Sequence, residues 1–313
     1  MAEKAFEPVG MMGPQIFGLP VDRDTLFSNH QEIYKKRVEK RQRKLIVKLS
    51  FLKPFLKKGE KILLSTSGYS PINSLSQYAT GFFFVYLKRS LFVFTNYRIF
   101  HVPTTPIYKF KQSISQILYA DCQSIALKGG TLSVQYANNG ITEKFKAIGL
   151  PERKKIKALM KRMPLSGTQS QLGRRSHLCP RCTTLLESGK YTCSACQLKF
   201  KNKIAAFILA ILFPGGGYFY TRHYFIGLLT AIVEISLMGY FYLLWQDVIH
   251  KPENRVLYLV GLVTIFVIIK IISVIHSSHF IEEFIPTKKQ IQTNPSAARS
   301  RPKKQKEKSK ESK

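Results

Sequence analysis

The pattern of apolar and polar positions changes character several times along the chain. Residues 1–22 carry Gly, Pro and Met without a sustained period and predict an irregular arm. From about Asp24 the apolar positions Val38, Leu45, Leu49, Leu52 and Leu56 fall on one face of a helix. Pro54 should end or kink it, so 23–58 reads as one amphipathic helical unit. From 60 to 163 the pattern is that of strands. Stretch 61–70 starts a strand, and 82–87 and 91–102 are rich in Phe, Val and Tyr; 108–114 and 117–127 continue the sheet. The run 79–94 is apolar enough to suggest a membrane span. Lys88-Arg89-Ser90 in its middle predicts a hairpin instead, because two adjacent cations are costly at mid-bilayer. Leu132, Val134 and Tyr136 alternate, Asn138-Asn139-Gly140 supplies a tight turn, and 141–145 returns. After Pro151, Ile156, Leu159, Met160 and Met163 mark one face of a closing helix. Residues 164–176 read as a Ser-, Gly- and Gln-containing linker.

Beyond Ile204 the chain becomes a membrane region, 204–285. Ten apolar residues are followed by Pro214, Gly215, Gly216 and Gly217. Continued to Thr221, segment 204–221 measures about 27 Å as a helix, near the minimum for a span. Segments 224–245 and 256–275 are full spans, with Tyr240, Tyr242 and Trp245 suited to an interface. The stretch 287–313 holds Lys, Ser, Pro and Gln with few apolar residues, and predicts a disordered basic tail.

Charge sharpens this picture. The 313 residues carry a formal net charge of +31, which favours anionic partners, either nucleic acid or anionic membrane lipid. The basic face of the first helix, with Lys35, Lys36, Arg37, Lys40, Arg41, Arg43, Lys44 and Lys48, has two readings: a solvated face of a packed helix, or a face against lipid headgroups. Glu3, Glu7, Asp22 and Asp24 near the start suit neither a secretory nor a transit peptide. The expected location is the cytoplasmic (inner) membrane, with the soluble domains in the cytosol.

The five cysteines carry the clearest chemistry. Four form two pairs, Cys179 with Cys182 and Cys193 with Cys196, spaced C-x2-C-x10-C-x2-C. Each pair makes a turn that directs two thiolates at one ion, and the residues between them suit a short hairpin. Disulfides do not suit a cytosolic domain, and a redox pair would need a βαβ setting that is absent. The expected cofactor is structural Zn2+, with every coordination position filled by sulfur. His177, just before the quartet, is an alternative ligand or an exposed side chain. Cys122, in an expected strand, reads as a small core residue.

Three resemblances follow from particular residues. LFVFTNYRIFHV (91–102) resembles the strand-turn-strand of bacterial pleckstrin-homology-like (GRAM-like) domains, in which an apolar strand ends in Thr-Asn, then a residue, Arg and a second apolar strand. ISQILYADCQSIAL (114–127) resembles the segment that follows. The resemblance implies a β-rich pleckstrin-homology-like barrel with a C-terminal helix over 60–163, and makes Arg98 a structural hallmark. The cysteine spacing resembles a short zinc ribbon, 177–200. ILFPGGGYFYTRHYFIGLL (211–229) resembles the joint of a two-helix transmembrane family, carried by Gly215, Gly217, Phe219, Tyr220, Arg222, His223, Tyr224 and Gly227; Pro214 and a third apolar segment depart from it.

The membrane segments pose a conflict. Lys199, Lys201 and Lys203 flank the first, and the tail is basic, so both should be cytosolic. Three spans would separate them. Two arrangements resolve this: three true spans with the tail outside, or a first segment that dips in and returns, leaving Arg222 and His223 cytosolic; the Pro-Gly break favours the second, although irregular backbone must then be buried in protein. Glu234 and Lys270 are intramembrane charges, functional candidates by default. Lys270 reads as snorkelling near a helix end; Glu234 reads as a partner for a neighbouring helix or another subunit, which would make the protein a homo-oligomer. His276, His279 and Glu283 share a helical face, either as a metal set or as an interfacial polar cluster.

No Ser-His-Asp set, phosphate loop or open metal site is visible, so the expected function is non-enzymatic: an integral membrane protein whose cytosolic modules recruit a protein partner or sense the membrane. A membrane-tethered nucleic-acid binder is the first alternative, with only Arg181 and Lys190 as cations on the ribbon hairpin. A small transporter component using Glu234 is the second.

Overall fold

The computed structural model of the chain describes residues 15–71, 87–138, 140–167, 169–170, 172–250 and 255–287, with backbone alone at 247–250 and 255. Residues 1–14, 82–86 and the tail after 287, on which parts of the sequence expectations fall, lie outside the described residues.

Two short strands, β1 (Gln15–Ile16) and β2 (Leu19–Pro20), form a hairpin. The stretch expected to be irregular is therefore partly ordered: Ile16, Leu19 and Val21 are core residues. Next come α1 (Arg23–Phe27), α2 (Lys36–Ile46) and a 3₁₀ segment, Val47–Phe55. The single expected helix is thus broken, and its buried stripe is Gln42, Ile46, Leu49 and Leu52, one position off the predicted Leu45. The polar Gln42 is what the apolar count passed over. Its side-chain amide donates to Ser65 O at 2.9 Å and accepts from Ser65 N at 3.0 Å. That amide closes the outer edge of the sheet, where unpaired strand groups are otherwise exposed.

The main sheet contains β3 (Ile62–Tyr69), β4 (Arg89–Thr95), β5 (Arg98–Pro103), β6 (Ile114–Leu118), β10 (Ser176–Leu178) and β11 (Leu185–Leu186), in the order β11-β10-β6-β5-β4-β3. A second sheet joins β7 (Cys122–Lys128), β8 (Thr131–Tyr136) and β9 (Thr142–Phe145). Alternation along the central strands sends side chains to two cores, as strand geometry requires. Leu91, Val93, Phe100 and Val102 meet the N-terminal helices. Phe92, Phe94 and Ile99 meet the second sheet and α3 (Arg153–Arg162), which contributes Ile156 and Leu159. Cys122 is buried in this second core, and burial pushes its thiol up to about 12, which suits an inert thiol.

The sheets are open and do not close a barrel, which corrects the expected barrel. A physical reason lies in β10. The stretch expected to be a linker and separate ribbon instead adds a strand to β6, with Ser176 opposite Gln116 and Leu178 opposite Ile114. The edge that closure would need is occupied. Of Lys88-Arg89-Ser90, expected to form a turn, Arg89 and Ser90 instead begin β4, which pairs with β3 on one side and β5 on the other; the expected partner stretch before it lies largely outside the described residues.

Arg98 serves the fold. Its guanidinium holds Glu60 through Nε (2.9 Å) and Nη2 (2.7 Å), and donates to Phe55 O at 2.6 Å. Thr95 donates its hydroxyl to Glu60 at 2.8 Å, and Asn96 accepts from Lys61 N at 2.8 Å. The Thr-Asn-x-Arg corner thus pins the 3₁₀ segment to the turn between β4 and β5, with the ion pair 4% and 0% exposed.

The last part consists of α4 (Lys203–Leu212), α5 (Gly216–Tyr220), α6 (Tyr224–His250) and α7 (Arg255–Ile281). Segment 204–221 is therefore two short helices meeting at Pro214-Gly215. Tyr224–Gln246 and Val256–Ile281 are long and apolar enough to cross a membrane.

Candidate metal centre and intramembrane ion pair

The four cysteines converge. Their sulfurs all lie within 4.8 Å of one another, and Cys179–Cys196 and Cys182–Cys193 are each 3.5 Å apart. A tetrahedral ion with bonds of about 2.3 Å sets sulfurs about 3.8 Å apart, so the quartet has the dimensions of a metal centre. The two knuckles are built alike. Thr183 and Gln197, each four residues after the first cysteine of its pair, adopt positive φ of 63° and 57°. Their N–H groups donate to Cys179 O and Cys193 O, both at 3.0 Å. Cys179 N and Cys193 N in turn donate to Thr184 O (2.8 Å) and Leu198 O (2.9 Å). Sequence spacing gave the ligands; the shared left-handed residue gives the reason both turns take one shape.

The quartet is electrostatically uneven. Burial raises Cys179 and Cys196. Burial opposes ionisation at Cys182 too, but hydrogen bonds from the Thr184 hydroxyl and backbone win and hold it down at about 6. Four sulfurs this close cannot all be thiolates without a cation among them, so the donor set fits a soft or borderline divalent metal. His177 is not part of the group; its ring packs 4.8 Å from that of Phe284. His276, His279 and Glu283 do not come together either: among the described residues the cysteines form the one such cluster.

The metal centre is joined to the end of α7. Phe200 packs in the core around the cysteines, and Phe284 lies against that core, edge-on to Phe200 at 5.7 Å. Lys201 N donates to Ile285 O, and Thr287 N donates to Lys199 O, both at 3.0 Å. The chain entering α4 and the chain leaving α7 therefore run side by side. Arg222, at φ 65°, donates to Thr287 O at 2.8 Å, and His223 stacks on Phe280 at 3.8 Å. Arg222 and His223, singled out as the corner of the joint, lie at this same end.

Glu234 and Lys270 form an ion pair of 2.8 Å, with side chains 0% and 14% exposed. This corrects the expectation that Lys270 snorkels. Its Nζ also donates to Ala210 O (3.1 Å) and Phe213 O (3.3 Å), carbonyls at the end of α4, the second of which also accepts from Gly216 N at 3.0 Å. Glu234 accepts from Gly215 N at 3.2 Å, at the start of α5. A cation at a helix C-terminus and an anion at a helix N-terminus are the favourable placements. Together they satisfy the backbone that the Pro-Gly break leaves unpaired.

The glycines complete the joint. Gly215 has φ 64°, and a Cβ there would stand 2.1 Å from Gly227 O on α6. At Gly217 a Cβ would stand 2.2 Å from Ser277 Oγ on α7. The sequence showed a break; the structure shows a small helix wedged between three others. Sequence reasoning missed the pairing because nothing local connects positions 234 and 270.

Comparison with protein-family models, with curated proteins and with solved structures returned no match to the chain.

Proposed function

We propose that the chain is a non-enzymatic integral membrane protein, with two spans and a re-entrant hairpin, whose sheet domain and metal ribbon face the cytosol and recruit a protein partner or sense the membrane. The observation that carries this reading is the pairing of Lys199 and Lys201 with Ile285 and Thr287. It supports a topology with both ends of the membrane region, and the ribbon, on one side. The ten-residue α4 is about 15 Å long, half the hydrocarbon core. Glu234 and Lys270 lie at a similar depth, each about 15–17 Å from the ribbon end of its helix. The outward faces of the two long helices are apolar, with Leu228, Ile232, Val260 and Ile268 exposed, as lipid contact requires.

The ion at the cysteines is Zn2+ in this reading, closed to substrate and acting in folding. The strand-rich order followed by one helix, with its buried Thr-Asn-x-Arg corner, supports a pleckstrin-homology-like origin for the domain. The pairing of Glu234 with Lys270 favours helix packing over transport. A pull-down from membranes with the intact chain and with all four cysteines changed to serine tests the recruiting role. A protein captured by the intact chain alone supports it. Identical captures, in a variant shown to be membrane-inserted and metal-free, reject the ribbon as the contact.

A further inference from the structure

We propose that the hairpin 104–110, between β5 and β6, is a second attachment to the bilayer, with Ile107 at its tip entering the interfacial layer. The proposal rests on the reading that α6 and α7 span that bilayer.

Direction is the first argument. Along the hairpin's return arm, Ser113 donates its hydroxyl to Glu283 O, just past α7. Two residues nearer the tip, Lys111 Nζ lies over the Phe280 ring, 5.5 Å away, within α7. Moving toward the tip is thus moving along α7 into the membrane. The neighbouring strand agrees. Thr104 N donates to Arg89 O at 2.8 Å, and Arg89 Nη1 donates to Pro106 O at 2.8 Å. Just beyond Arg89, Leu87 accepts from Lys111 Nζ at 3.1 Å and packs on Tyr218 and Phe280, with Ile226 in the same cluster. The tip is therefore level with the first turn of α6 and the last turn of α7.

Chemistry is the second. Ile107 is 64% exposed at the tip of the hairpin. Tyr108 and Phe110 flank it, each half-buried against the N-terminal core, with Phe110 stacked on Phe51 at 3.8 Å; the exposed edges of such aromatics are favoured at the headgroup level. Lys48 and Arg89 each stand 4.7 Å from the Tyr108 ring, and Lys109 is exposed beside it, a set suited to anionic headgroups.

Backbone economy is the third. Tyr108 N donates to Thr105 O, and Thr105 N donates to Lys109 O, both at 2.9 Å, while Lys109 N donates to the Thr105 hydroxyl oxygen at 3.0 Å. A loop that satisfies these three N–H groups internally loses less on entering a poorly hydrated layer.

The test uses the full chain in vesicles of phosphatidylcholine and phosphatidylglycerol. An environment-sensitive fluorophore is placed at Ile107→Cys, at Tyr97→Cys on the opposite end of the same strands, and at Leu228→Cys, exposed on α6. Wild type taken through the same labelling gives the background. Lipids carrying a spin-label quencher in the headgroup or high on the acyl chain are then added. The expected result is loss of most emission at positions 107 and 228, and none at 97. Loss at 228 without loss at 107 overturns the hairpin proposal alone, whether the label is wet or buried in protein. No loss at 228 overturns the spanning reading on which it rests. Equal loss at 97 and 107 also overturns it, since the effect would then be general.

Discussion

Lys270 reaches across from α7 to Glu234 on α6, 2.8 Å away, and in doing so covers the open end of α4. One ion pair therefore holds three helices and both sides of a backbone break. Charges in a span are tolerated when they pair or meet backbone groups, and here they do both. Removing one partner should strand the other. We expect Glu234→Ala or Lys270→Ala to cost about 3–5 kcal/mol, and the double change Glu234→Ala with Lys270→Ala to cost less than the two singles together. Unfolding curves in detergent for the four proteins give the cycle directly.

The glycine joint should be equally intolerant. Gly217→Ala places a Cβ 2.2 Å from Ser277 Oγ and 2.8 Å from Ala210 Cβ, an overpacking that costs about 1–3 kcal/mol. Pairing it with Ser277→Ala should recover only part of the loss, because Ala210 remains. Gly189, at a hairpin turn with open space around it, is the comparison site. There alanine meets only the backbone preference, since φ is 85°. Melting temperatures of the three variants order these effects.

How much of this was legible in advance depended on where each cause lies. The quartet 179, 182, 193 and 196 was readable because thiolate geometry is written in local spacing. The Thr-Asn-x-Arg corner was readable as a pattern, though its partner Glu60 was not, being 38 residues away. Gln42 did not enter the predicted buried stripe because a polar side chain counts against burial until its strand-edge partner is known. The ribbon looked independent because a three-residue strand, Ser176–Leu178, carries too little alternation to reveal that it pairs with β6.

Metal should matter beyond the knuckles. Since β10 leads into Cys179 and pairs with β6, loss of the ion should loosen the sheet edge as well as the ribbon. Cys193→Ser should abolish the single bound metal measured by elemental analysis. Amide exchange should rise at 176–178 and 199–201, with β4 and β5 unchanged. Protection retained at 176–178 would show that the sheet holds this edge without the ion.

Acid should weaken the sheet domain through His101. The ring is fully enclosed, with Nδ1 2.9 Å from Ser115 Oγ and Nε2 2.9 Å from Ser70 Oγ. Burial, with Arg175 beside it, holds its pKa well below the ordinary imidazole value. In the unfolded chain the ring takes a proton as pH falls through about 6.5, while the folded ring stays neutral. The unfolded state then binds more protons, so stability falls as pH drops below that value and is fully present above it. His101→Gln should flatten the melting temperature between about pH 7 and pH 5, relative to wild type.

The central claim is that the membrane region enters and leaves on one side. A phosphatase active only outside the cytosol, and a fluorescent protein that matures only inside, can each be fused after Lys313 or inserted at 251–254. The account predicts fluorescence without phosphatase activity at the C-terminus, and phosphatase activity without fluorescence at 251–254. Phosphatase activity at the C-terminus would contradict it, making α4 and α5 a third crossing and breaking the bond between Lys199 and Thr287 on which the account stands.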